Sequence, residues 1–386
     1  MSSDDLNLDR LDRPDRFAQI ARLHSRAFAW EPQGWIPLGL HVVNPRHGQG
    51  IDYNEWLDPR PFLEFQRKIL VDTLTVGSDL MPAVAINHLG DAVLTSMYGA
   101  PLFMPEAGST TLQDVGPTPI PTFSSIQEAA EVSVPDLDAG IMPEVERMAR
   151  YYRENLPPWV HVVAPMPAGP FSTAMELRGS DILTDLLDFP DLCHQFISRC
   201  TQLQIQVERR VRQLSGTPLT GEHITNFCIS GAGLRLGEDS MVNLSPAMIR
   251  RFCLPGFVQV HEIFGGSGHI HFCSLPHSRF EQVYQALMLM PEVTVVSSQF
   301  GFEYYEQHVD ELRGRLAVES FYGDDVYPYV CRKHGSFSDW AEYFVPRFKN
   351  ESGLVLYFQV GSVEEGQEIW AVWQEAHRKR RSKRYG

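Results

Sequence analysis

The sequence predicts an α/β fold and, within that class, a single (β/α)8 barrel of the TIM type. Three observations predict it. About eight short apolar runs, near residues 36, 81, 161, 225, 270, 295, 317 and 356, alternate with segments of helical spacing. Such alternation needs parallel strands joined by helical crossovers. No Gly-x-Gly-x-x-Gly follows any run, so an open dinucleotide-binding sheet loses its usual support. The length, 386 residues, suits one barrel with loop insertions and a large core.

In chain order, residues 1–16 read as a polar, acidic leader, 17–377 as the barrel and 378–386 as a basic tail. Phe17, Ile20, Ala21, Leu23 and Ala27 recur at helical spacing, and residues 35–42 read as a buried strand. A polar loop with Asn44, Arg46 and His47 follows, then a helix over 61–74 and an apolar run over 79–86. Residues 100–137, rich in Pro, Ser, Thr and Gly, read as a long ordered insertion, because alternation resumes after them. Helices are predicted over 142–155, 180–187, 191–214, 245–264, 278–289, 304–312, 339–350 and 363–379. Ser245 and Pro246 supply a cap and a first-turn proline for the fourth of these. The strands between them fall at 159–165, 223–229, 269–273, 293–297, 315–319 and 354–358.

Composition excludes several classes. With 33 Lys+Arg against 48 Asp+Glu the net charge is −15, which excludes a general nucleic-acid coat. The basic run from Arg378 to Arg384 reads as a solvated helix end. The six cysteines form no Cys-x-x-Cys pair and fit a reducing compartment. No run approaches 18 apolar residues and the amino terminus does not read as a signal peptide, so a soluble cytoplasmic protein is expected.

In a barrel, chemistry gathers on the loops that follow the strands. Residues 269–273 read His-Ile-His-Phe-Cys, and alternate strand residues share a face. His269, His271 and Cys273 therefore point one way, with Cys273 nearest the strand end. Imidazole and thiolate together suit zinc, although a strand cysteine is also simply a small apolar side chain. Spacing shows no third or fourth ligand; His277, Glu303 and Cys331 lie within reach along the chain. Asp79, before an apolar run, is either a carboxylate at the barrel mouth or a cap. Glu222, His223 and Asn226 surround the fourth strand, and Glu238-Asp239-Ser240 precedes the Ser245 cap. Arg46, with His41 and His47, could take an anionic group or serve only as loop polarity.

Segments 76–80, 169–192, 237–255, 265–274 and 353–369 together resemble the uroporphyrinogen decarboxylase superfamily, in family order. That superfamily holds the decarboxylase and the zinc-containing, corrinoid-linked methyltransferases. The resemblance implies the same eight-fold barrel, with Asp79 and Asp239 as catalytic carboxylates. The chain departs from the decarboxylase pattern. Its first loop has only Arg46, residues 170–179 offer Met175 or Glu176 where a Tyr is usual, and Gln359 or Val360 stands in place of a late His. Porphyrinogen decarboxylation is therefore expected to be absent. His271 and Cys273 match the His-x-Cys zinc pair of the methyltransferases, but Phe358-Gln359-Val360-Gly361 lacks their later Cys. The favoured expectation is zinc-assisted methyl transfer between a small thiol or methylated compound and a corrinoid on a partner protein. A decarboxylase of the uroporphyrinogen type, or a non-catalytic barrel binding a tetrapyrrole or small ligand, is the alternative. A homodimer is a family expectation.

Overall fold

The computed structural model describes residues 8–43, 57–86, 89–103, 117–163, 165, 168–217, 223–225, 228–230, 233–265, 268–273, 277–298, 301–320, 326–348 and 351–385. Its strands are β1 Leu38–Val42, β2 Ala83–Ala85, β3 Leu102–Phe103, β4 Thr118–Pro119, β5 His161–Val163, β6 His223–Thr225, β7 Cys228–Ser230, β8 Arg235–Gly237, β9 His269–Phe272, β10 Val295–Ser298, β11 Ala317–Ser320 and β12 Leu354–Val360. Six form one parallel sheet in the order β1-β12-β11-β10-β9-β8, and β2 pairs in parallel with β5. β3–β4 and β6–β7 are antiparallel pairs.

The predicted α/β class holds, and the predicted closed barrel is not confirmed by this topology. Eight parallel strands are present, but their ladder is split into a six-stranded and a two-stranded sheet, and no closed barrel forms among the described residues. Isolated contacts instead of ladders link the smaller sheet's flanking segments to both edges of the larger one, among them a parallel bridge between Ala168 and Gly237. Asp79 N–H donates to Leu38 O at 2.9 Å beside β1, and Gly169 N–H to Gly237 O at 2.5 Å beside β8. The cause is local. β2 and β5 have three residues each, and Pro82 before β2 and Pro165 after β5 have no N–H to extend a ladder. The predicted fourth strand near residue 225 is also corrected: the chain there forms the β6–β7 pair, and the parallel strand is the later β8.

Helices cover one face of the larger sheet. Phe272 packs on Phe280 with ring centroids 5.0 Å apart, and Phe358 meets Trp340 at 6.2 Å. Helix Met142–Asn155 has its predicted bounds, and helix Pro59–Val76 starts where Asp58 accepts the Arg60 N–H at 3.0 Å. Ser245 caps its helix as expected, accepting the Met248 N–H at 3.3 Å. Helix Pro170–Arg178 escaped the sequence reading because it is buried on most sides, from Phe171 through Ala174, and leaves no amphipathic stripe. The insertion at 100–137 contains β3, β4 and helix Ile126–Glu131, with residues 104–116 outside the described set.

Alternation along the strands gives the sheet a second, polar face. Ile270, Val296 and Val318 point to the helices, whereas Arg235, His269, His271, Ser297 and Glu319 meet one another on the opposite side. Helix Pro14–Phe28 packs at the amino-terminal ends of the strands, where Phe28 faces His269 at 6.1 Å. Of the leader's described residues, Leu8 is buried and Arg16 pairs with Asp79.

The basic run belongs to helix Val363–Tyr385. Arg378 pairs with Glu375 and Lys379 with Glu342, each at 2.7 Å, and Arg380 lies over the Phe348 ring. Earlier in this helix, His377 is buried between Trp35 and Trp373, with ring centroids at 4.3 and 5.1 Å. Burial, reinforced by Arg380 and Arg381, lowers its pKa from 6.5 to about 3. The unfolded chain therefore takes up a proton at a pH where the folded chain refuses it. This group's contribution is intact above about pH 6.5 and is lost progressively as pH falls toward 3. At pH 5 the loss is about 2 kcal/mol. His377→Phe should reduce the difference in unfolding free energy between pH 7 and pH 5 by about that amount. An unchanged difference in denaturant titrations would contradict it.

Candidate metal centre

Three of the singled-out residues come together at the carboxyl-terminal ends of β8 and β9. Asp239 opens the turn after β8, His271 lies on β9 and Cys273 follows that strand directly. His271 Nε2 is 3.0 Å from Cys273 Sγ, and the Cys273 N–H donates to Asp239 Oδ1 at 2.6 Å. One candidate ligand atom from each residue lies within 4.8 Å of those from the other two. His271 is buried, Cys273 half-buried and Asp239 exposed, so the group runs from the polar interior to the surface.

The surroundings fix each member. The His271 Nδ1 contacts Ser297 Oγ on β10 at 2.8 Å. When Nδ1 carries the proton and donates it to Ser297, Nε2 presents its lone pair toward Cys273. Burial, with Arg235 and His269 nearby, holds the His271 imidazole well below its ordinary pKa, so the ring is neutral. Asp239 is exposed as a residue, but packing around its carboxyl group desolvates it and raises its pKa, against the Cys273 N–H and the Arg235 charge.

The turn carrying Asp239 is anchored by its neighbour Glu238. That fully buried carboxylate accepts the Phe171 N–H at 3.0 Å, the Ser172 N–H at 2.8 Å and the Ser172 hydroxyl at 2.9 Å. It thus caps the start of helix Pro170–Arg178. Burial still pushes its pKa up to about 7, against those three bonds. Gly169 is required here, because a Cβ would collide with the Glu238 carboxyl group. Glu238 N–H also donates to His271 O at 2.8 Å, tying this turn to β9.

Below the trio sits an ion cluster that sequence reasoning missed. Glu319 on β11 lies 3.0 Å from His269 Nε2 and 3.7 Å from Arg235 Nη1. Burial raises the Glu319 pKa, but the His269 hydrogen bond and the Arg235 charge outweigh it, leaving the carboxylate ionised. Burial lowers the His269 pKa, so this ring is neutral beside Glu319.

Asp79 is corrected in place. It was expected at the mouth, yet it stands at the amino-terminal ends of the strands, opposite the trio. Its carboxylate takes Arg16 at 2.7 Å, Trp35 Nε1 at 2.7 Å and the Leu38 N–H at 3.2 Å, and it is fully buried. Asp79 comes before β2 and lies beside the first residue of β1, so strand direction alone puts it at that end. Cys331 lies on helix Val326–His334 and Glu303 in the first turn of helix Gly301–Leu312, neither within the trio. His41 faces Tyr357 across β1 and β12. Asn44, Arg46, His47, Glu222 and Asn226 lie outside the described residues, as do the side chains of His223 and His277.

No protein-family profile matches the chain, and no curated protein matches it. Among solved structures it is similar to a methyltransferase from Methanosarcina mazei, with a TM-score of 0.65 and 15% identity over 92% of this chain and 98% of that one. At that identity the likeness shows a shared fold. No helix among the described residues is long and apolar enough to cross a membrane.

Proposed function

We propose that this chain is a metal-assisted methyltransferase, with His271 and Cys273 holding zinc at the carboxyl-terminal ends of the strands. The observation that carries this reading is the approach of His271 Nε2 to Cys273 Sγ, in a chain folded like a methyltransferase. Zinc bonds of about 2.0–2.3 Å in a tetrahedron set neighbouring ligands about 3.3–3.8 Å apart. The 3.0 Å separation fits once it opens by roughly half an ångström. Zinc, when bound, lowers the pKa of a substrate thiol so that a thiolate exists at neutral pH.

The chain's own residues supply the rest. Neutral His271 offers its lone pair, Ser297 orients the ring, and the buried layer of Arg235, His269 and Glu319 closes the site from below. In the proposed reaction the substrate sulfur attacks a methyl group on a corrinoid carried by a partner protein. The sulfur–carbon bond forms as the cobalt–carbon bond breaks, and the electron pair stays on cobalt. The reverse direction serves a methylated substrate. Decarboxylation of a polycarboxylate fits poorly, since Arg235 at this site already faces Glu319.

The test is direct. Zinc-loaded protein is mixed with free methylcobalamin and mercaptoethanol, and loss of the cobalt–methyl absorbance is followed. Acceleration over the protein-free reaction, removed by a chelator and restored by zinc, is expected. A rate equal to the protein-free rate with zinc bound would overturn the proposal.

A further inference from the structure

We infer that Asp239 is the third protein ligand of this centre, giving a mixed nitrogen–sulfur–oxygen site in which Ser297 selects Nε2 of His271 as the nitrogen donor. The inference rests on the metal-binding part of the function proposed above, and it concerns how the chain completes a site whose expected second cysteine it lacks.

Three observations carry it. The candidate atoms of Asp239, His271 and Cys273 lie within 4.8 Å of one another, so one ion can reach all three after shifts of about 1 Å. The Cys273 N–H holds Asp239 Oδ1, which fixes the carboxylate beside the thiol, and a carboxylate has a second oxygen with its own lone pairs. Ser297 holds His271 Nδ1, and a partner on the non-ligating nitrogen is how ligating imidazoles are oriented. Charge agrees. With Arg235 and Glu319 offsetting each other, Asp239 and a Cys273 thiolate leave two negative charges, which a divalent cation balances. Three protein ligands leave the fourth tetrahedral position for a substrate thiol.

The experiment uses cobalt(II) alone as the probe on metal-stripped full-length protein, read by visible absorption and by competition with a chelator. Asp239→Asn keeps an oxygen that accepts the Cys273 N–H but removes the charge. It should weaken cobalt binding by about 100-fold or more, since losing even an outer partner of a ligand commonly weakens binding 10–100-fold. Asp239→Cys should restore tight binding and intensify the sulfur-to-cobalt charge-transfer band. Ser297→Ala should weaken binding by about 10-fold, with Ser297→Thr recovering it. Circular dichroism of the four variants checks folding, and Asp239→Cys and Ser297→Thr, which must regain function, keep the test decisive. Wild-type cobalt affinity and spectrum in Asp239→Asn would overturn the inference while leaving the proposed function standing. A wild type that takes up neither cobalt nor zinc would overturn both.

Discussion

Replacing Cys273 by Ala should remove the metal from this protein. Wild type is expected to carry about one zinc ion per chain, and the variant none. The thiolate is the softest donor of the trio, and His271 Nε2 approaches its sulfur to 3.0 Å. Loss of affinity should exceed the roughly 100-fold upper range seen when only an outer partner of a ligand is removed. Methyl transfer from methylcobalamin should fall to the protein-free rate. The fold should tolerate the change, since Cys273 is half-buried and its backbone N–H, the group that holds Asp239, is retained. Cys331→Ala is the matched control: it removes another half-buried thiol, on an outer helix, and should keep full zinc content. Equal zinc in Cys273→Ala and wild type would remove the metal from this site altogether. A zinc-free Cys331→Ala would move it to the wrong side of the sheet.

The parts of this centre differ in how legible they are in the sequence. His271 and Cys273 sit on one strand, where a period of two is enough to put them on one face. Asp239 could be picked out as a carboxylate after a strand-like run, but its bond to Cys273 spans 34 positions of chain and needs the β8–β9 register to exist. The ion cluster left a signal that went unused. Glu319 interrupts an otherwise apolar run, as does Ser297, and both fall on the same alternation as His271. A polar residue recurring at the same phase of several buried parallel strands marks a polar interior. Asp79 differs because the family resemblance implies a carboxylate at the mouth, whereas a residue that precedes its strand, as Asp79 precedes Ala83, lies at the amino-terminal end of the sheet. The split ladder was the least legible feature. Strand count follows from hydropathy, but closure depends on strand lengths of three residues and on prolines at their ends.

Glu319→Ala should be the most destabilising single change in the polar interior, by about 3–5 kcal/mol, because it leaves a buried charge without its counter-ion. Arg235 and Glu319 are both buried, 3.7 Å apart, and His269 Nε2 lies 3.0 Å from the same carboxylate. Removing the carboxylate takes this contact from both side chains at once. It also takes the Glu319 counter-charge from Arg235 beside His271 and Asp239, whose titration Arg235 already influences, so cation binding at the trio should weaken together with the fold. The two losses can be separated. Glu319→Leu combined with Arg235→Met removes both charges and replaces them by apolar groups of similar volume, a change that commonly recovers most of the stability of a broken buried pair. The double variant should therefore unfold in urea within about 1–2 kcal/mol of wild type, while the single variant does not. If Glu319→Ala unfolds within about 0.5 kcal/mol of wild type, the carboxylate is not neutralising Arg235. If the double variant is as unstable as the two single changes added, the residues stabilise the sheet independently, and the polar face of β8–β11 is a set of separate contacts instead of one coupled layer.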